Sequence, residues 1–286
     1  MPLVSIVIPA YNCEKTIQST ICSVINQTFT DYELLIFDDG SSDDTTNIIE
    51  SFSDIRIKLY KDGYNRGIAY RLNQLIDLSS GKFLFRMDAD DLMFPDRLEK
   101  QVKYLQKHPD VDVVGAPAIV IDEKNNILGL RRGANRIWSF DDLFLASRFI
   151  HPTVAGKTEW FRTWKYDERL SGCEDMDLWI RSYKESVFSD IFEPVLFYRE
   201  PLTFRLKTYL KRQDLLLRYS WGNRCYMDKK SHILQLVCKI AVSSIAAVFL
   251  HIIRCDEKMI RRRNAQLAKD SYSNYNAILH KIVTTF

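Results

Sequence analysis

The sequence predicts an α/β fold: a mostly parallel sheet with helices on both faces, followed by a C-terminal helical extension. Short apolar runs alternate with segments of helical periodicity over the first 110 residues, and this alternation is typical of repeated β-α units. After residue 200 the pattern is helical and carries no further strand signal. A composition of 46% hydrophobic and 27% charged residues is that of an ordinary globular chain with one large core.

Four strands are predicted from short runs of apolar residues that end at Pro, Gly or Asp. Runs without polar alternation indicate strands that are buried on both faces, as in a parallel sheet. The predicted strands cover residues 4–8, 34–37, 55–60 and 82–87.

The helices between these strands are predicted from apolar residues at intervals of three and four. Ser42 is expected to cap a helix that begins near residue 43, and Gly81 is expected to close the third helix. A strand-rich segment at 111–121, a helix at 174–182 and a late strand at 192–198 complete the predicted body. We find no internal repeat.

Two sets of acidic residues directly follow predicted strands. Asp38 and Asp39 come after the second strand, and residues 88–91 (DADD) come after the fourth. The carboxyl ends of parallel strands form the ligand crevice in such sheets, so both sets are expected to face one crevice. Alternate carboxylates offer the hard oxygen ligands that Mg²⁺ and Mn²⁺ prefer, although acidic triplets are also common in solvated loops.

Three ordered motifs resemble the signatures of glycosyltransferase family 2: residues 5–12 (SIVIPAYN), 38–45 (DDGSSDDT) and 88–91 (DADD). The resemblance continues at 65–67 (NRG), 94–98 (FPDRL) and 172–179 (GCEDMDLW), to about residue 200. It implies a GT-A fold, an inverting reaction and a nucleotide-sugar donor, with UDP the commonest base. The DADD segment corresponds to the DXD motif of such enzymes.

By motif position, the resemblance also implies roles for residues at the nucleotide. Pro9, Ala10 and Tyr11 would wrap the nucleotide, Asp39 would hydrogen-bond the base, and Asp88 would face the ribose. The ordinary alternatives are a core aromatic for Tyr11 and a turn residue for Asp39.

Further roles concern the diphosphate, the metal and the acceptor. Asp90, with Asp88, would hold Mn²⁺ or Mg²⁺, and Arg66 would bind the diphosphate. Asp175 would be the catalytic base, with Glu174 as its neighbour or as an acceptor ligand, unless the pair only caps a helix. His151 would line the sugar or acceptor pocket or bind metal; a structural histidine is the alternative.

Stacking on a sugar requires a flat face, which tryptophans in the predicted acceptor part of the chain could offer. The candidates are Trp138, Trp160 and Trp164. Each could equally belong to the core.

Charge divides the chain into two regions. Residues 1–200 carry 24 basic and 32 acidic side chains, and residues 201–286 carry 16 and 5. We therefore expect a catalytic domain at 1–200, with a nucleotide-binding part at 1–110 and an acceptor part at 111–200, and a basic helical region at 201–286. Basic residues do not cluster with aromatics in the first region, so a nucleic-acid partner is not expected.

The expected location is the cytoplasm, peripheral on the inner face of the cell membrane. The six cysteines lack Cys-x-x-Cys spacing, and the N-terminus lacks the features of a signal peptide. Residues 233–253 are largely apolar between basic residues, which favours a helix lying on an anionic membrane surface. A helix packed on the body, or a dimer contact, is the alternative.

These observations predict a metal-dependent glycosyltransferase that acts on a saccharide or lipid-linked saccharide acceptor, in bacterial polysaccharide or glycolipid assembly. A sugar-1-phosphate nucleotidyltransferase would also use acidic metal ligands beside a parallel sheet, but a glycine-rich, lysine-bearing phosphate loop is missing near the first strand. A non-catalytic nucleotide-binding module that is recruited to membrane is the other alternative.

Overall fold

The computed structural model describes residues 1–133, 140–144, 148–170, 172–223, 230–254 and 264–284. Eleven strands lie in the described residues: β1 Val4–Ala10, β2 Tyr32–Asp38, β3 Ile57–Lys61, β4 Phe83–Arg86, β5 Leu92–Met93, β6 Val113–Gly115, β7 Ala118–Ile121, β8 Ile127–Arg131, β9 Ala155–Lys157, β10 Phe188–Asp190 and β11 Leu196–Arg199.

Nine α-helices lie in the same part of the chain: α1 Ile17–Ile25, α2 Thr45–Glu50, α3 Ile68–Leu78, α4 Arg97–Lys107, α5 Thr158–Trp164, α6 Glu174–Ser182, α7 Leu206–Gly222, α8 Lys230–Ile252 and α9 Lys269–Thr284. Three short 3-10 helices cover Phe140–Phe144, His151–Thr153 and Tyr183–Glu185.

The main sheet has the strand order β10-β6-β9-β4-β1-β2-β3. All its neighbouring strands are parallel except β9, which runs antiparallel to both β4 and β6. Ile6 and Ile8 of β1 belong to one apolar core and Val7 to another. Because successive side chains of a strand point to opposite faces, the sheet is buried on both sides, as its unbroken apolar runs predict.

A second sheet was not predicted from the sequence. It has the order β5-β11-β7-β8, with β11 parallel to β7 and antiparallel to β5. Strands β5 and β8 of this sheet lack the continuous apolar run that predicts a buried strand, and β5 has only two residues. Strand β9 of the main sheet has only three residues, so it also gave no signal in the sequence. The late strand expected at 192–198 begins only at Leu196 and runs to Arg199.

Two local predictions about helix ends are wrong. Helix α2 begins at Thr45, and its N-cap residue is Asp44 without a side-chain cap, so Ser42 does not cap it. The hydroxyl and amide of Ser42 instead face Asn12 Oδ1, with the amide at 2.8 Å. Gly81 does not close α3, whose C-cap is Ser79.

Gly81 serves close packing against β1. A Cβ at this position would lie 2.6 Å from the backbone nitrogen of Ser5 and 2.6 Å from the carbonyl carbon of Val4. The Gly81 amide also donates to Ser5 Oγ at 2.8 Å. Backbone atoms cannot move aside as a flexible side chain can, so this position requires glycine.

Gly81→Ala is expected to destabilise the protein by about 1–3 kcal/mol because overpacking here forces β1 to shift. Urea unfolding followed by circular dichroism measures the change. Gly222→Ala is the matched control, since a Cβ there would have no atom within 4 Å. Equal stability of the two variants would contradict the packing argument.

The helices after residue 200 pack on the body. The Tyr219 hydroxyl of α7 donates to Asp177 Oδ1 of α6 at 2.7 Å. In α9, Leu279 and Ile282 are buried with Phe94 and Phe197 at the second sheet. The boundary predicted at residue 200 therefore separates regions of different charge that share packed surfaces.

Candidate active site

A cleft of about 1400 Å³ lies at the carboxyl ends of β1, β2 and β4. Among the predicted site residues, it is lined by Pro9, Ala10, Tyr11, Asp39, Asp88 and Asp90. The adjacent parallel strands bring these residues together, as the position of a ligand crevice in such sheets requires. Tyr11 is 51% exposed, so it is not a core aromatic.

Asp39 is buried at the end of β2 and its carboxylate is held by three donors. The amides of Arg66 and Gly67 donate to it at 2.7 and 2.9 Å, and Arg71 Nε donates at 2.7 Å. Asp39 thus joins β2 to the start of α3. A carboxylate has about four acceptor sites, so little capacity remains for a base.

The Arg66 side chain is directed away from the cleft lining, although Asn65 and Gly67 on either side of it belong to that lining; its role at the diphosphate stays a prediction. Its side chain does not belong to the described cleft lining; it lies over the rings of Tyr64 and Tyr70 and 3.5 Å from Asp62. Its backbone amide, not its guanidinium, reaches the site. Arg71 of α3, in contrast, both lines the cleft and binds Asp39.

Asp88, Asp90 and Asp91 form an acidic cluster whose ligand oxygens all lie within 4.8 Å of one another. Burial raises the pKa of Asp90 to about 6, and the charge of Asp88 adds to the rise. Asp91 is fully buried, and its Oδ2 has no hydrogen-bond partner among the described residues. Mutually repelling carboxylates with an unpartnered oxygen fit a divalent cation.

The loop that carries the cluster is held rigidly. The hydroxyls of Thr16 and Thr20 both donate to the Ala89 carbonyl, at 3.1 and 3.0 Å. On the other side, Arg199 donates from Nε to the Asp90 carbonyl and from its amide to Asp91 Oδ1, both at 2.8 Å. These bonds fix the carboxylates before any ligand arrives, which lowers the cost of ordering them.

Arg86 interacts both with the acidic cluster and with the acidic pair Glu174 and Asp175 at the start of α6. It is buried at the end of β4 and pairs with Asp88 Oδ1 at 2.6 Å. Its charge also acts on Glu174 at the start of α6. Burial raises the pKa of the Tyr166 hydroxyl, and the charges of Asp175, Glu174 and Asp88 all add to the rise. The start of α6 and the acidic cluster therefore both lie within electrostatic range of Arg86 and Tyr166.

Glu174 and Asp175 differ in their surroundings. Glu174 is buried and accepts the Gly172 amide at 2.6 Å. Burial raises its pKa, and the charge of Asp175 contributes. Asp175 is only half-buried in the first turn of α6, where the helix dipole favours an ionised carboxylate. Neither residue belongs to the described lining of the cleft.

His151 has a structural environment. Its Nε2 and the Tyr166 hydroxyl form a hydrogen bond of 2.8 Å, and its ring meets Trp179 edge-on. Burial lowers the pKa of His151 well below its usual value, with a contribution from Arg86, so the ring is neutral. It is not among the described cleft residues, and its contact with substrate or metal stays a prediction.

The two predicted tryptophans that the structure describes, Trp160 and Trp164, are not among the residues that line the cleft. Trp160 is buried and stacks on Trp179 in the core, and its Nε1 donates to Ser186 at 2.7 Å. Trp164 packs against the same core. Trp138 lies outside the described residues.

Helix α7 supplies a wall of the cleft that sequence reasoning missed. Arg205, just before the helix, and Thr208, Tyr209, Arg212 and Gln213 all line the cleft. Their spacing of three, four, seven and eight residues places them on one helix face. Polar residues at this spacing were the available signal, but nothing in the sequence indicated what they would face.

Comparisons with known proteins agree with this geometry. The family model "Glycosyl transferase family 2" matches residues 5–166. The putative glycosyltransferase EpsE of Bacillus subtilis is 35% identical over 64% of this chain and 68% of its own length. An Escherichia coli enzyme, the UDP-Glc:alpha-D-GlcNAc-diphosphoundecaprenol beta-1,3-glucosyltransferase WfgD, is 39% identical over 44% of this chain and 49% of its own.

A solved structure shares the fold. The mannosyltransferase PcManGT from Pyrobaculum calidifontis, in complex with GDP-Man and Mn²⁺, superimposes with a TM-score of 0.58 at 17% identity. The match covers 99% of this chain and 85% of that one. It supports the expected mixed α/β fold of the GT-A type with C-terminal helices.

Proposed function

Because this chain belongs to glycosyl transferase family 2, we propose that it transfers a sugar from a nucleoside-diphosphate donor to an acceptor hydroxyl with inversion at the anomeric carbon. The observation that carries the proposal is the acidic cluster of Asp88, Asp90 and Asp91 at the edge of the cleft. UDP is the proposed nucleotide, in line with the UDP-glucose donor named for WfgD.

The proposed reaction assigns different work to the two acidic groups. Asp90 and Asp88 would hold Mn²⁺ or Mg²⁺, which supplies a Lewis acid for the negative charge of the departing diphosphate. Asp175 would accept the proton of the acceptor hydroxyl as its oxygen attacks the anomeric carbon. A single displacement of this kind inverts the anomeric carbon and needs no covalent sugar-enzyme intermediate.

The nucleotide would lie in the cleft against the strand ends. Pro9, Ala10 and Tyr11 offer the surface for the base and ribose. The carboxylate of Asp39, already bound by two amides and Arg71, would orient the base only through its remaining acceptor capacity. Arg71, Arg205 and Arg212 line the cleft, whereas the side chain of Arg66 does not. These three arginines are therefore the proposed ligands of the diphosphate.

A saccharide or lipid-linked saccharide is the proposed acceptor. WfgD is named for a diphosphoundecaprenol-linked acceptor, which supports this class. Action at the inner face of the cell membrane remains part of the same proposal.

A donor panel tests the reaction. The purified protein is incubated with UDP-glucose, UDP-galactose and their N-acetylated forms, with and without Mn²⁺, and UDP release is measured. We expect metal-dependent UDP release from at least one donor. Pyrophosphate release from a nucleoside triphosphate would favour a nucleotidyltransferase instead, and tight nucleotide binding without turnover would favour a non-catalytic module.

Arg212→Ala is expected to raise the donor KM about tenfold, the usual worth of a hydrogen bond to a charged group, with a smaller effect on kcat. The side chain is exposed on the cleft face of α7 and can reach a phosphate there. Lys211→Ala is the matched control, because Lys211 is exposed but does not line the cleft. Equal effects of the two substitutions on KM would remove Arg212 from the donor site.

A further inference from the structure

Helix α8 has one face that packs on the protein. Leu236, Ile240 and Ala247 are buried, and α8 packs along α7. Successive residues of an α-helix turn by about 100°, so these three side chains fall within an arc of about 40°. The helix is therefore attached to the body along a narrow strip.

The opposite face of α8 is apolar and exposed. Although Ile233–Ile252 is long and apolar enough to cross a membrane, only 11% of it is buried inside the protein. Large apolar side chains with exposures between 46% and 73% occupy an arc of about 100° centred opposite the buried strip. We call this surface the apolar stripe; it consists of Leu234, Val242, Ile245, Phe249, Ile252 and Ile253.

An exposed stripe of this size indicates a partner, because soluble proteins seldom leave contiguous apolar surface uncovered. From Leu234 to Ile252, the last residue of α8, the stripe rises about 27 Å along the helix, at about 1.5 Å per residue. It contains no charged residue, and its length and one-sidedness match those of helices that lie in a membrane interface.

We propose that the apolar stripe docks the protein on a bilayer that contains anionic lipid, with α8 lying in the interface. A spanning orientation conflicts with the buried strip, since lipid would have to replace the contacts of Leu236, Ile240 and Ala247. The region 201–286 carries 16 basic and 5 acidic residues, a charge that attracts anionic headgroups.

The same charge argues against a second copy of this chain as the partner. A symmetric dimer through the stripe would bring two regions of net charge +11 together, and like charges that face each other oppose association. A membrane covers the stripe without this repulsion.

Docking would place the catalytic cleft beside the membrane. Helix α7 lines the cleft with Arg205 and Arg212 and packs on α8. An acceptor presented from the bilayer would then reach the cleft along α7. The membrane proposal does not depend on the reaction, because the stripe is separate from the cleft.

The test is co-sedimentation of the full-length protein with preformed vesicles of phosphatidylcholine, alone or mixed with phosphatidylglycerol. The variant I245E/F249E places two charges in the stripe without disturbing the buried strip. The matched control I55E/F192E makes the same changes at two body residues that are 94% and 80% exposed. UDP binding with Mn²⁺, measured by calorimetry, follows the proposed site independently.

We expect the wild type and the control to bind the mixed vesicles, and I245E/F249E to bind them at least about tenfold less strongly. Nucleotide binding should be equal in all three proteins, so a failed reaction and a failed docking surface are distinguishable. Absence of vesicle binding by the wild type would overturn the proposal. A dimer in light scattering that only I245E/F249E dissociates, with vesicle binding unchanged, would instead assign the stripe to a second copy.

Discussion

Asp90→Ala is expected to lower kcat for sugar transfer by about 10²- to 10³-fold, the usual worth of one group that stabilises charge in the transition state. Asp90 lies in the acidic cluster at the cleft, in a loop that Arg199 holds by a hydrogen bond to the Asp90 carbonyl. Loss of its carboxylate should therefore weaken cation binding directly. Raised Mn²⁺ should restore part of the activity. UDP release, measured over a Mn²⁺ titration, gives both the loss of kcat and the recovery at raised Mn²⁺.

The fold should survive the Asp90 substitution. Removing one of three mutually repelling carboxylates relieves repulsion in the metal-free protein, so the melting temperature should not fall. Asp110→Ala is the matched control, since Asp110 is exposed and outside the cluster. An Asp90→Ala protein that turns over at the wild-type rate without any change in metal dependence would exclude the cluster as the cation site.

Asp175→Asn is expected to lower kcat by about 10²- to 10⁴-fold while donor KM changes little, because the amide keeps the shape of the side chain but cannot accept the proton. Steady-state kinetics, with a donor and an acceptor that the wild-type protein uses, measure kcat and donor KM separately. Nucleotide binding should stay at the wild-type level, since Asp175 does not belong to the described lining of the cleft.

Glu174→Gln separates the base from its neighbour. Glu174 is buried and accepts the Gly172 amide, so its substitution should alter the start of α6 and produce a smaller loss of kcat. If Asp175→Asn retains full turnover and Glu174→Gln abolishes it, the base is Glu174 and the assignment to Asp175 is wrong.

The sequence predicted the parts of the fold that depend on uninterrupted apolar runs. Strands β1, β2 and β4 were found because burial on two faces requires continuous hydrophobicity, and the acidic cluster was found because it follows such a run. The second sheet was not predicted as a separate sheet. Its β7 lies in the segment predicted as strand-rich at 111–121, but the two-residue β5 and the strand β8 depend on tertiary pairing, not on local pattern.

The site was predicted less completely than the fold. Asp39, Asp88 and Asp90 line one cleft as expected, but the side chain of Arg66 is not part of the described lining. Arg86, a charged residue inside the apolar run of β4, was the available signal for the link between the acidic segments. The α7 wall could not be predicted, because which helix covers a cleft is decided by packing between distant parts of the chain.

The most direct test of the account is an anomalous difference map from crystals grown with UDP and Mn²⁺. The account predicts one manganese peak in direct contact with the Asp90 carboxylate and the UDP diphosphate, and an Asp175 carboxylate that is turned toward the same site. A manganese ion bound away from residues 88–91, or an Asp175 side chain that faces a different surface, would contradict it.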